Sequence, residues 1–108
     1  MSFIAIYITH ASKENAQKLC NKLLEQHLIA CANIFPIQSH YHWQGNIERD
    51  DEWVSIVKTQ KKHWKTLRDL VLKIHPYTTP CIMKIKVKAN KDYEDWIKET
   101  TEIQEQGT

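Results

Sequence analysis

Glycine is nearly missing from this chain: two residues in 108, Gly45 and Gly107. No Gly-rich loop is therefore available to cradle a phosphate. The H-E-X-X-H pattern of zinc hydrolases and a Ser or Cys at a recognisable nucleophile turn are absent as well, so the expected function is not enzymatic. Cysteines number three, an odd count with no paired spacing. That fits reduced thiols in a cytoplasmic protein better than a disulfide framework. No run approaches the ~18 apolar residues of a membrane span. The apolar start, Met1 to Ile8, lacks a basic leader and a long apolar centre and reads as a strand, not a signal peptide. A formal net charge of +2 is too small to imply nucleic acid or an anionic membrane as partner. Linkers and repeats are also missing, so residues 1–108 read as a single domain, long enough to hold a core without disulfides or a structural metal.

What is present centres on the stretch from Ala30 to Thr59. Two strand-like runs meet at Gln44-Gly45-Asn46, one carrying Ile34, Ile37, Tyr41 and Trp43, the other Ile47, Trp53, Val54, Ile56 and Val57. Aromatic and β-branched residues favour strands, and a Gly-Asn step between such runs signals a hairpin. Each arm is about a dozen residues, well beyond the usual strand of ~5–6. A hairpin of that length overhangs a small domain and needs something to lie against.

Around it the order is regular. A strand over Phe3 to Thr9 precedes a helix capped by Ser12, with Glu14 in its first turn. Ala16, Leu19, Cys20, Leu23, Leu24 and Leu28 form that helix's apolar stripe. After the hairpin a second helix, about Lys61 to Ile74, carries Trp64, Leu67, Leu70, Val71 and Ile74 on one side. It ends there because Pro76 disfavours helix at His75. A last strand runs from Cys81 to Ala89, and Asn90 caps a short helix bearing Tyr93, Trp96 and Ile97. This is an α+β pattern, β-α-β-β-α-β with an extra C-terminal helix, which predicts a ferredoxin-like antiparallel sheet with both main helices on one face.

Strand parity adds a constraint. Ile4, Ile6 and Ile8 suit the helix side, yet Phe3, Ala5 and Tyr7 on the other side are also largely apolar. The third strand repeats this with Trp53, Val54, Ile56 and Val57. A sheet covered on one face should alternate apolar with polar, and leaving large apolar side chains wet forfeits ~1.5–3 kcal/mol each. A second copy of the same sheet is the expected cover, so the chain reads as a homo-oligomer.

Several side chains bear on chemistry. His40 and His42 lie on one strand face at a metal-chelating spacing but have no third ligand nearby. Glu48-Arg49-Asp50-Asp51-Glu52 reads as a solvated face of mixed charge. Lys84, Lys86 and Lys88 share one face of the last strand, opposite Met83, Ile85 and Val87. They either bind an anion or keep an edge strand from pairing with other sheets, and edge protection is the simpler role. Cys20 and Cys31 read as small buried hydrophobes. In His75-Pro76-Tyr77-Thr78-Thr79-Pro80-Cys81 two prolines fix the link between helix and strand. An imidazole and a thiol at its ends suit Cu(I), Cu(II) or Zn(II), or a Cys-His nucleophile pair. The plainer alternative is a His closing a helix and a Cys packed at a strand start, in the parity of Met83 and Ile85.

Ala30-Cys31-Ala32-Asn33-Ile34, Tyr41-X-Trp43-X-Gly45-X-Ile47, Lys58-Thr59 and His75-Pro76-Tyr77-X-X-Pro80, in that order and spacing, resemble the CutA divalent-cation tolerance family, and Trp96 fits too. The match spans nearly the whole chain. The resemblance implies a ferredoxin-like subunit and a homotrimer assembled like the PII signal proteins, with hairpins pairing across subunits. It also implies a cytoplasmic role linked to divalent metal ions, chiefly copper. Family members linked to metal carry a Cys late in the first strand, the His of H-P-Y, and a Glu after the second Pro. Here those positions hold Ile8 (with His10 two residues on), His75 and Cys81, and a thiol in place of a carboxylate favours softer ions. His75 and Cys81 are thus the expected metal ligands. Tyr41, Trp43, Lys58 and Tyr77 match structural or cleft residues of the family.

The alternative function is a PII-like signalling trimer that binds a small anionic ligand in the intersubunit cleft, using Lys58 or the lysines of the last strand. An RNA-binding module of this fold would need an RNP1-type third strand; this strand opens Asp50-Asp51-Glu52 and has none.

Overall fold

A computed structural model describes residues 3–102. The chain runs β1 (Phe3–His10), α1 (Lys13–Glu25), β2 (Cys31–Trp43), β3 (Asn46–Thr59), a 3₁₀ turn (Lys61–His63), α2 (Trp64–Ile74), β4 (Ile82–Val87) and α3 (Lys91–Thr100). One four-stranded sheet has the order β2-β3-β1-β4, with every neighbouring pair antiparallel. This is the expected ferredoxin-like topology, with β2 and β4 at the edges. Among the described residues no helix is long and apolar enough to cross a membrane.

Local chemistry accounts for the element ends. The Ser12 hydroxyl accepts the Asn15 backbone N–H at 3.0 Å, capping α1. At the other end His27 takes a left-handed φ of 56°, and the Leu28 and His27 N–H groups close back on the Leu23 and Leu24 carbonyls. His75 leaves α2 in extended backbone, as the residue before a proline should. Asn90 stands at the head of α3, but its side chain makes no capping bond. The Glu94 carboxylate instead accepts the Ala89 N–H at 2.9 Å.

The hairpin closes through a two-residue loop, Gln44-Gly45, one residue earlier than the Gly-Asn step suggested, with Trp43 facing Asn46. Both loop residues have positive φ, 49° and 82°. This is the primed geometry whose twist matches the strands it joins. Nothing crowds Gly45, so Gly45→Ala tests backbone strain alone. It should destabilise by ~1 kcal/mol, read as a lowered urea midpoint with an unchanged m-value.

The pairing register sorts the side chains. Ile4, Ile6 and Ile8 lie beside Thr59, Val57 and Ser55 of β3 on the helix face. There they pack with Leu19, Cys20, Leu23, Leu67 and Val71. Leu24 and Ile74, expected in the same stripes, are exposed, because each sits past the edge of its helix's buried arc. On the opposite face α3 covers one end of the sheet, where Phe3, Ala30 and Ile97 form a second small core with Val87, Ala89 and Tyr93 packed against it. Part of the cover expected from another copy is thus supplied by the chain itself.

The rest of that face stays open. Tyr7, Phe35, Ile37 and Ile56 are half-buried, and Met83 and Ile85 are 48% and 43% exposed. Met83 and Ile85 are therefore not core residues within one subunit: they pair with Tyr7 and Ala5 on the helix-free side. β4 is also shorter than expected, so Cys81 precedes the strand. Lys84 and Lys86 stand on the helix face opposite Ile6 and Ile4, with the Lys84 ammonium 5.4 Å from the Trp64 ring centre. Their strand is an edge, in line with a protective role.

Candidate functional site

Four elements converge on His75. The end of β1 brings His10, β3 brings Glu52 and Ser55, the C-terminus of α2 brings His75, and the Pro76–Pro80 link brings Tyr77 and then Cys81. His75 is held at both ring nitrogens. Nε2–H donates to the Thr9 carbonyl at 2.7 Å, while Nδ1 accepts the Tyr77 backbone N–H at 3.2 Å. Its ring stacks on His10 (centroids 5.7 Å) and meets the Tyr77 ring edge-on at 4.7 Å. Tyr77 in turn donates its hydroxyl to Glu52 at 2.6 Å. Burial raises the Tyr77 phenol above its ordinary range, and the carboxylate of Glu52 adds to it.

His10 is only 2% exposed, with Nε2 2.8 Å from the Ser55 hydroxyl. Burial, with the neighbouring His75 second and Glu52 opposing, lowers its pKa to about 4. The sequence pattern did not single out His10 as the centre of this arrangement. Its parity with Ile4, Ile6 and Ile8, which points an imidazole into the core, was the available signal.

The other expected site residues distribute unevenly. Cys81 lies near Glu52, and its thiol is pushed up by burial and then by that carboxylate. A raised thiol is the opposite of what an activated nucleophile needs. Tyr41 donates its hydroxyl to Asp50 on the hairpin, the first cause of its rise to about 12. Trp43 is exposed near the hairpin tip. Lys58 bonds the Asn33 side-chain oxygen. It pairs with Ala5, whereas His75 reaches the chain at Thr9, so the fold separates the two along β1. His40 and His42 are exposed on the helix-side face of β2. Cys31 meets the Tyr93 hydroxyl at 3.2 Å, and Cys20 is buried.

Among the described residues no set of three or more His, Cys, Asp or Glu side chains could hold an ion. Both His75 nitrogens are engaged, and Ile8, at the position where a family Cys was expected, is sealed in the core. A cleft of about 410 Å³ does open beside His10 and His75, between α1 and the end of α2.

The fold defines a ferredoxin-like α+β protein with an extended hairpin and a partly open sheet face. The model of the CutA1 divalent ion tolerance protein family matches residues 4–100, and the chain belongs to that family. Among its relatives is the divalent-cation tolerance protein CutA of Archaeoglobus fulgidus, 47% identical over 98 residues covering 90% of this chain and 96% of the relative. The CutA protein of Thermotoga maritima is 42% identical over 98 residues, covering 90% and 97%. A solved structure described as the periplasmic divalent cation tolerance protein CutA of A. fulgidus superposes with a TM-score of 0.89 at 46% identity, covering 94% of this chain and all of that one.

Proposed function

We propose that this protein serves divalent-cation tolerance as a non-catalytic cytoplasmic homotrimer that responds to copper. The observation that carries the assembly is the apolar, helix-free face around Met83, Ile85, Ile56 and Phe35, exposed or half-buried and only partly covered by α3. The raised Cys81 thiol supports a role without nucleophilic catalysis. For copper, Cys81 is the donor whose sulfur makes no hydrogen bond among the described residues. His75 can join it by giving up either the Tyr77 N–H at Nδ1 or the Thr9 carbonyl at Nε2.

An anaerobic Cu(I) and Cu(II) titration beside Cys81→Ser and His75→Ala tests this reading. Binding in a fixed ratio per subunit should weaken about tenfold in Cys81→Ser, ~1.4 kcal/mol. Identical isotherms for all three proteins, or no binding at all, would remove Cys81 and His75 as ligands.

A further inference from the structure

The cleft between α1 and the end of α2 has a chemistry of its own. Asn15, Lys18 and Lys22 line it from α1 at intervals of three and four residues, so one helix stripe presents an amide and two ammonium groups to the same space. Neither lysine forms an ion pair or hydrogen bond among the described residues. No carboxylate is among the described residues that line the cleft. On the inner wall stands His10. Its Nε2 is taken by Ser55, its Nδ1 has no hydrogen-bond partner among the described residues, and the residue is 98% out of solvent contact. The His10 ring lines the cleft, and with the Ser55 hydroxyl donating to Nε2 the ring proton sits on Nδ1. Two ammonium groups beside that imidazole match an acceptor with several oxygens and more than one negative charge. The volume of about 410 Å³ suits a small organic anion rather than a bare ion.

We propose that this cleft is a binding site for a small polyvalent oxyanion, a diphosphate or a di- or tricarboxylate, held by Lys18, Lys22, Asn15 and the Nδ1–H of His10. The site lies on the helix side of the sheet, opposite the face assigned to self-association. It is distinct from an intersubunit site built on Lys58, which stands on the helix-free face beside Cys31.

Calorimetric titration of the full chain with inorganic pyrophosphate and, separately, with citrate decides the matter, at constant ionic strength to suppress screening effects. Saturable binding of either probe, with a Kd of about 1 mM or tighter, is expected. The two arms separate phosphate from carboxylate selectivity. The double variant Lys18→Gln/Lys22→Gln alters two exposed helix positions and should weaken binding at least about tenfold. His10→Gln, which lacks the ring donor, should weaken binding as well, and Lys58→Gln should change nothing. Absence of saturable binding for both probes overturns the proposal. So does binding that survives the double lysine variant, or binding lost in Lys58→Gln. Should His10→Gln fail to fold, the lysine variant decides alone.

Discussion

Ile85→Asp should leave a folded subunit that no longer self-associates, eluting with the 12.8 kDa mass of one chain where the wild type elutes at three times that mass. The residue lies on the helix-free face, paired with Ala5 and already 43% exposed in the single subunit, so an aspartate there can stay hydrated without disturbing the core. In the proposed trimer the same carboxylate would be pressed against a second copy and lose its water. That cost reaches several kcal/mol at each of three equivalent contacts. Lys86→Asp is the matched control: it places the same charge next door on the same strand but on the helix side, and it should leave the mass unchanged. Light scattering at micromolar concentration reads both. A wild-type protein that is already monomeric, or an Ile85→Asp variant that stays assembled, would end the trimer reading.

The second large effect is acid sensitivity centred on His10. Its folded-state pKa lies at about 4 against an ordinary 6.5, because a buried imidazolium beside His75 is disfavoured more than Glu52 can offset. The unfolded chain therefore takes up this proton first. Stability from this group is complete above pH 6.5, declines as pH falls through the window from 6.5 to 4, and changes no further below it. With 1.36 kcal/mol per pKa unit, the loss amounts to about 3 kcal/mol by pH 4. In His10→Asn, which keeps a hydrogen-bonding group for Ser55 but does not titrate, that part of the acid slope should vanish. Urea denaturation at pH 7, 5.5 and 4 measures it. Parallel pH profiles for the two proteins would show that His10 is not the titrating group.

Much of the fold was legible in the residues. Aromatic and β-branched runs with the Gly-Asn step between them located the hairpin, Ser12 marked the start of α1, and Pro76 stopped α2 at Ile74. Strand parity also showed that both sheet faces were apolar. It could not show that α3 folds back over Phe3 and Val87, because a ten-residue helix with one apolar stripe fits either face equally well. Met83 and Ile85 illustrate the same limit: alternation says that they share a face, and only the pairing with Tyr7 and Ala5 says which. The site was legible in its backbone and not in its bonds. Two prolines around Tyr77 announced a fixed link, but nothing in the spacing told that Thr9 and Tyr77 would claim both nitrogens of His75. Nor did it tell that Glu52, in a run read as a solvated face, would hold the Tyr77 hydroxyl.

The hairpin has one further implication. Beyond Trp53, which still pairs with His10, β2 and β3 continue to the Gln44-Gly45 loop with only each other as strand neighbours. A free two-stranded ribbon is marginal in water. In the proposed trimer the order of Tyr41, Trp43 and Ile47 would then be a property of the assembled state more than of the subunit. The tip would belong, thermodynamically, to whichever copy it rests on. Dissociation would change the shape of each subunit as well as the number of particles, and anything that recognises the ordered tip would sense how many copies are joined.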